Sequence, residues 1–138
     1  MLGGIIIHIE GFCLLRWDRS LSITFDFIFL FMGIANTPPP PYYAVIFSSL
    51  RTEGDDEAYG QMAQRMVELA KQQPGYLGHE SVRDGLGLTI SYWKDLQSIK
   101  AWKQVTDHLE AQRLGREKWY KQFKTRICLV ERDYGMSS

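Results

Sequence analysis

The chain has 138 residues, of which 45% are hydrophobic and 23% charged, and its 16 Lys+Arg are balanced by 16 Asp+Glu. That length predicts one domain with enough apolar side chains for a core, and the zero formal charge removes the basic field that a nucleic-acid or anionic-lipid partner needs. The two cysteines, Cys13 and Cys128, are too far apart in sequence and context to suggest a disulfide framework, which suits a reducing, cytoplasmic setting.

The first 31 residues differ in character from the rest. Ile5-Ile6-Ile7 and Leu21 to Phe31 are apolar, but Arg16, Asp18 and Arg19 separate the two runs and Asp26 interrupts the second. Neither reaches the roughly 20 uninterrupted apolar residues of a membrane span, so no membrane association is expected. The segment reads as upstream sequence or a loosely attached extension before Met32. A signal peptide ending near Gly33-Ile34-Ala35 is the alternative, with Asp26 against it. Pro38 to Pro41 favour an extended conformation and set residues 1–41 apart from a domain spanning residues 42–138.

Within the domain, Tyr42 to Leu50 is rich in aromatic and β-branched residues, as a strand requires. Tyr59, Met62, Ala63, Met66 and Ala70 then recur at helical spacing, with Asp55, Asp56 and Glu57 at the helix start, where negative charge is favoured. Pro74-Gly75 ends this helix. Tyr76 to Arg83 and Leu86 to Trp93 are two extended runs joined through Asp84-Gly85, a hairpin turn pair. Asp95 can cap a second helix carrying Leu96, Ile99, Trp102, Thr106 and Leu109 on one stripe. This helix is expected to continue or restart around Gly115 towards Phe123, and Thr125 to Tyr134 reads as the last strand.

The order strand, helix, strand, strand, helix, strand predicts an α+β, ferredoxin-like βαββαβ fold with an antiparallel sheet. The first strand is apolar on both alternating sets, and Ile127 to Val130 repeat this. Two helices cover only one face of a four-stranded sheet, so the other needs a cover, most simply a second copy of the sheet.

Several chemical signatures are absent. His79-Glu80-Ser81-Val82-Arg83 has Arg83 where a zinc-protease helix needs its second His, and it lies in a strand run, so no metal site is expected. Gly85-Leu86-Gly87 lacks the third glycine and the helix of a pyrophosphate loop. There is no CxxC, nucleophile elbow or P-loop. What remains is Trp93 followed by Trp102, His108 and Gln112. On one continuous helix, Ala101, Val105, His108 and Gln112 share a stripe beside that of Trp102. Read plainly, Trp102 is core and His108 is on the helix surface; read as a site, the two face one cleft.

Ser91-Tyr92-Trp93-Lys94-Asp95, Trp102, His108, Ala111-Gln112, Gly115-Arg116, Trp119-Tyr120, Val130 to Tyr134 and Pro74 to Gly78 together resemble the antibiotic biosynthesis monooxygenase-like family. The resemblance covers Tyr42 to Tyr134. It implies a homodimer whose two ferredoxin-like protomers form an α/β barrel, and a monooxygenase that needs no cofactor and acts on a phenolic or quinol-like aromatic. In that reading His108 is the general base and Trp102 acts with it, while Tyr92, Trp93 and Gln112 contact the substrate. Haem binding or degradation is the alternative, although Gln112 stands where haem-degrading members carry their iron-ligating His. Their first-strand Asn also has no counterpart between Tyr42 and Leu50. A non-catalytic, ligand-binding dimer is a third reading.

Overall fold

The structure, a computed structural model, describes residues 33–136. The expectations for the first 31 residues lie outside that range. β1 (Tyr42–Arg51) is followed by helix α1 (Asp56–Lys71), the hairpin strands β2 (Tyr76–Asp84) and β3 (Leu86–Trp93), helices α2 (Leu96–Lys103) and α3 (Thr106–Leu114), and β4 (Tyr120–Val130). The strands form one open antiparallel sheet in the order β2-β3-β1-β4, so the α+β, ferredoxin-like arrangement holds. Gly85, at φ 70°, makes the hairpin turn, a conformation that costs glycine little. Among the described residues no helix is long and apolar enough to cross a membrane.

The second helical region departs from expectation. Val105, in an extended conformation (φ −61°, ψ 131°), breaks it into α2 and α3, so the anticipated stripe is not one face. Ile99 is buried, Trp102 is half-buried, and Leu96 and Leu109 are exposed. Asp95 caps α2 as expected, accepting the Ser98 N–H at 2.7 Å. After α3 a π-helical turn, Gly115–Trp119, leads directly into β4. Phe123 is therefore in a strand, which begins at Tyr120 and ends at Val130 because those residues face the two ends of β1 (Arg51↔Tyr120, Tyr42↔Val130).

Alternation along the strands separates two faces. Tyr43, Val45, Phe47 and Ser49 share the helix-covered side with their register partners Trp93, Ser91, Thr89 and Gly87. On the opposite side the extended segment before β1 lies against one end of the sheet. The Ala35 N–H donates to Glu80 Oε1 (2.9 Å) and the Thr37 hydroxyl donates to Tyr42 Oη (3.1 Å), so the folded unit's contacts begin upstream of Tyr42. The Tyr42 hydroxyl in turn donates to Asp133 (2.8 Å). At the hairpin end the same face is bare, with Val82 62%, Leu86 55% and Leu50 39% exposed.

Candidate functional site

Trp93, the last residue of β3, is wholly buried, and its indole N–H donates to the Ser91 hydroxyl at 2.9 Å. Trp102 from α2 stacks on it, with ring centroids 6.2 Å apart and planes inclined by 26°. His108 from α3 stacks on Trp102 in turn, at 4.3 Å and 16°. Three consecutive elements thus build one column of aromatic rings between sheet and helices. His108 Nδ1 lies 3.0 Å from the Trp102 carbonyl oxygen. A carbonyl only accepts, so Nδ1 carries the hydrogen, and in the neutral ring Nε2 keeps its lone pair. Burial lowers the His108 pKa below the ordinary histidine value, partly offset by the Trp102 carbonyl. Near neutral pH the ring is an uncharged base.

The other expected site residues are placed differently. Gln112 lies one turn beyond His108, and its amide donates to the Lys103 carbonyl at 3.1 Å. His108 and Gln112 therefore both reach back to the last carbonyls of α2, which a helix end leaves short of donors. Tyr92 precedes Trp93 on β3 and so points to the opposite face of the sheet, where its hydroxyl donates to Glu80 Oε2 (3.2 Å) and its ring meets Tyr42 edge-on. It does not share a cleft with Trp102 and His108, because neighbouring strand residues face opposite ways. Burial and the adjacent Glu80 push its pKa up to about 12. Trp93 is fully enclosed, which leaves it supporting Trp102 rather than touching a substrate.

At the position where the resemblance puts a haem-ligating histidine, the Gln112 amide instead donates to the Lys103 carbonyl. Among the described residues no group of three or more His, Cys, Asp or Glu side chains is arranged to hold a metal ion.

A second polar cluster stands on the same side of the sheet, at the end of β1 away from Trp93. The Arg83 guanidinium donates to the Ser49 hydroxyl (2.9 Å), to the Ser49 carbonyl (3.5 Å) and to Tyr59 Oη (3.2 Å). It lies against Gly87, where a Cβ would overlap it. Arg51 covers the Tyr59 ring at 3.8 Å and pairs with Asp56 at 2.7 Å. The Tyr59 and Tyr120 hydroxyls are 3.4 Å apart, and burial raises the Tyr120 pKa. Asp55 takes a left-handed conformation (φ 55°) and accepts the Trp119 indole N–H at 3.1 Å. No local motif announces this cluster, since the hydrogen bonds of Arg83 to Ser49 and Tyr59, of Tyr120 to Tyr59 and of Trp119 to Asp55 join residues 24 to 64 positions apart.

The model of the antibiotic biosynthesis monooxygenase family matches residues 41–114. The chain belongs to that family. YqjZ, an uncharacterised protein of Bacillus subtilis (strain 168), is 50% identical over 101 residues, covering 72% of this chain and 88% of its own. Among solved structures, PA3566 from Pseudomonas aeruginosa superposes with a TM-score of 0.56 at 20% identity, covering 74% of this chain and 100% of that one. SnoaB, a cofactor-independent oxygenase from Streptomyces nogalater, gives 0.55 at 13% identity, with 72% and 100% covered. At such identities the superpositions establish the shared fold, not a shared substrate.

Proposed function

We propose that this member of the antibiotic biosynthesis monooxygenase family is a small oxygenase that works without metal or flavin on an electron-rich phenol or quinol. The substrate lies against helices α2 and α3, where Trp102 and His108 meet. The observation that carries the reading is the His108 geometry: Nδ1 bonded to the Trp102 carbonyl, and burial holding the ring neutral. His108 Nε2 takes the substrate's acidic proton, and the resulting anion passes one electron to O2. The two radicals join as a peroxide anion, which takes the proton back from His108 to become a hydroperoxide, and loss of the hydrogen on the same carbon then breaks its O–O bond. One oxygen stays on the substrate as a carbonyl and the other leaves as water, so the substrate itself supplies all four electrons. Trp102 packs beside the base and presents aromatic surface to the substrate.

The test is oxygen uptake with hydroquinone as substrate. His108→Gln retains an amide that can donate to the Trp102 carbonyl but offers no base, and it is expected to lower the rate about 10²–10⁴-fold. Unchanged turnover in that variant would exclude His108 as the base. A wild-type chain that consumes no oxygen with any quinol would instead favour a non-catalytic, ligand-binding role. The same proposal includes a homodimer, supported by the bare apolar end of the sheet face at Val82, Leu86 and Leu50.

A further inference from the structure

The polar cluster around Arg83 is rich in donors and poor in acceptors. A guanidinium has five N–H groups, and the three bonds from Arg83 to Ser49 and Tyr59 use three of them. The remaining two meet no acceptor among the described residues. Arg51 Nε is buried without a partner. The Tyr59 and Tyr120 hydroxyls share one contact, so one of their two protons is also left without an acceptor. Both nearby carboxylates are engaged elsewhere, Asp56 by Arg51 and Asp55 by the Trp119 indole. Arg83 therefore has no carboxylate partner among the described residues, although it is half-buried and held in place by Gly87, Ser49 and Tyr59.

A half-buried cation surrounded by spare donors favours an anionic acceptor. The surface next to it is aromatic: Tyr120 packs against Phe47 (5.3 Å) and Phe123 (6.0 Å), and all three rings retain solvent exposure. We infer that Arg83, with the Tyr59 and Tyr120 hydroxyls, binds the carboxylate of an aromatic acid whose ring packs on Phe47, Tyr120 and Phe123. This site stands at the opposite end of β1 from the His108 column, so it goes beyond the oxygenase reading and does not rest on it. Binding is measurable without turnover, so the two readings can fail separately.

The experiment is anaerobic calorimetry on the full chain with 4-hydroxybenzoate and its uncharged methyl ester. The acid is expected to bind at least about tenfold more tightly than the ester, the least that one charge-assisted hydrogen bond contributes. Arg83→Met, which keeps the apolar stem, is expected to abolish that preference, and Arg83→Lys to keep part of it. Equal binding of acid and ester, no binding of the acid, or a preference that survives Arg83→Met would overturn the inference. The acid-to-ester comparison on the unmutated chain decides the matter even if a variant folds poorly. Acid binding by a chain that oxidises no quinol would sustain this inference and sink the oxygenase.

Discussion

Replacing His108 with alanine separates a histidine on a helix surface from one built into a stack, because the two predict opposite signs. On an exposed helix position alanine is the better former, and the change would stabilise by up to about 0.7 kcal/mol. In the observed geometry it removes the ring stacked at 4.3 Å on Trp102, about 0.5–1.5 kcal/mol. It also removes the 3.0 Å bond to the Trp102 carbonyl. That carbonyl still receives the Val105 N–H at 3.1 Å, so the lost bond belongs at the lower end of the usual range, about 0.5–1 kcal/mol. Subtracting the helix gain leaves a net loss of roughly 0.5–2 kcal/mol, and each kcal/mol corresponds to about 4–8 °C in Tm for a domain of this size. Urea denaturation with an unchanged slope is the measurement. An alanine variant as stable as the parent, or more so, would refute the stack. His108→Phe, which keeps a ring but not the bond, should fall between the two.

Gly87→Ala should destabilise by about 1–2 kcal/mol: a β-carbon gains about 0.5–1 kcal/mol in a strand, but expelling the Arg83 guanidinium loses charged hydrogen bonds of about 1.5–3 kcal/mol. In an Arg83→Ala background the same change should be neutral or stabilising, which a double-mutant cycle checks. Burial depresses the pKa of both His108 and His79, so the unfolded chain binds more protons just below the ordinary histidine pKa of about 6.5. Stability should be full above that pH and fall as the pH drops through it towards the depressed values; urea melts at several pH values test this, and His108→Gln should flatten the dependence. Light scattering is expected to give about twice the 16.0 kDa chain mass, and Val82→Asp, which charges the bare face, to shift the population towards monomer. Trp93→Ala should cost about 3–5 kcal/mol, as measured by thermal melt, because its ring is wholly buried.

The elements with a strong period were legible in the sequence. β1, the hairpin and the Asp95 cap appear where composition and turn chemistry put them. The start of β4 was not: Lys121, Gln122 and Lys124 are exposed on an edge strand, so no hydrophobic alternation marks it and only pairing with β1 sets the boundary. The break at Val105 was hidden for a related reason. The apolar spacing runs straight across it, whereas the interruption depends on α3 side chains reaching back to α2 carbonyls. The Trp102–His108 pair could be anticipated because both residues lie in one helical region. Tyr92 could have been assigned to the other face from strand alternation alone. Arg83 gave no such signal, since its hydrogen-bond partners Ser49 and Tyr59 meet it only after the chain has folded.

The column of Trp93, Trp102 and His108 also gives the molecule a built-in optical gauge. Two indoles held face to face couple their electronic transitions, so the near-ultraviolet circular dichroism should carry a signature that vanishes when the column is disturbed. An imidazolium next to an excited indole accepts an electron far more readily than a neutral imidazole does. Protonation of His108, in contact with Trp102, should therefore dim the tryptophan emission. The charge state of the proposed base, and any molecule that shifts it, can then be followed by fluorescence without a label.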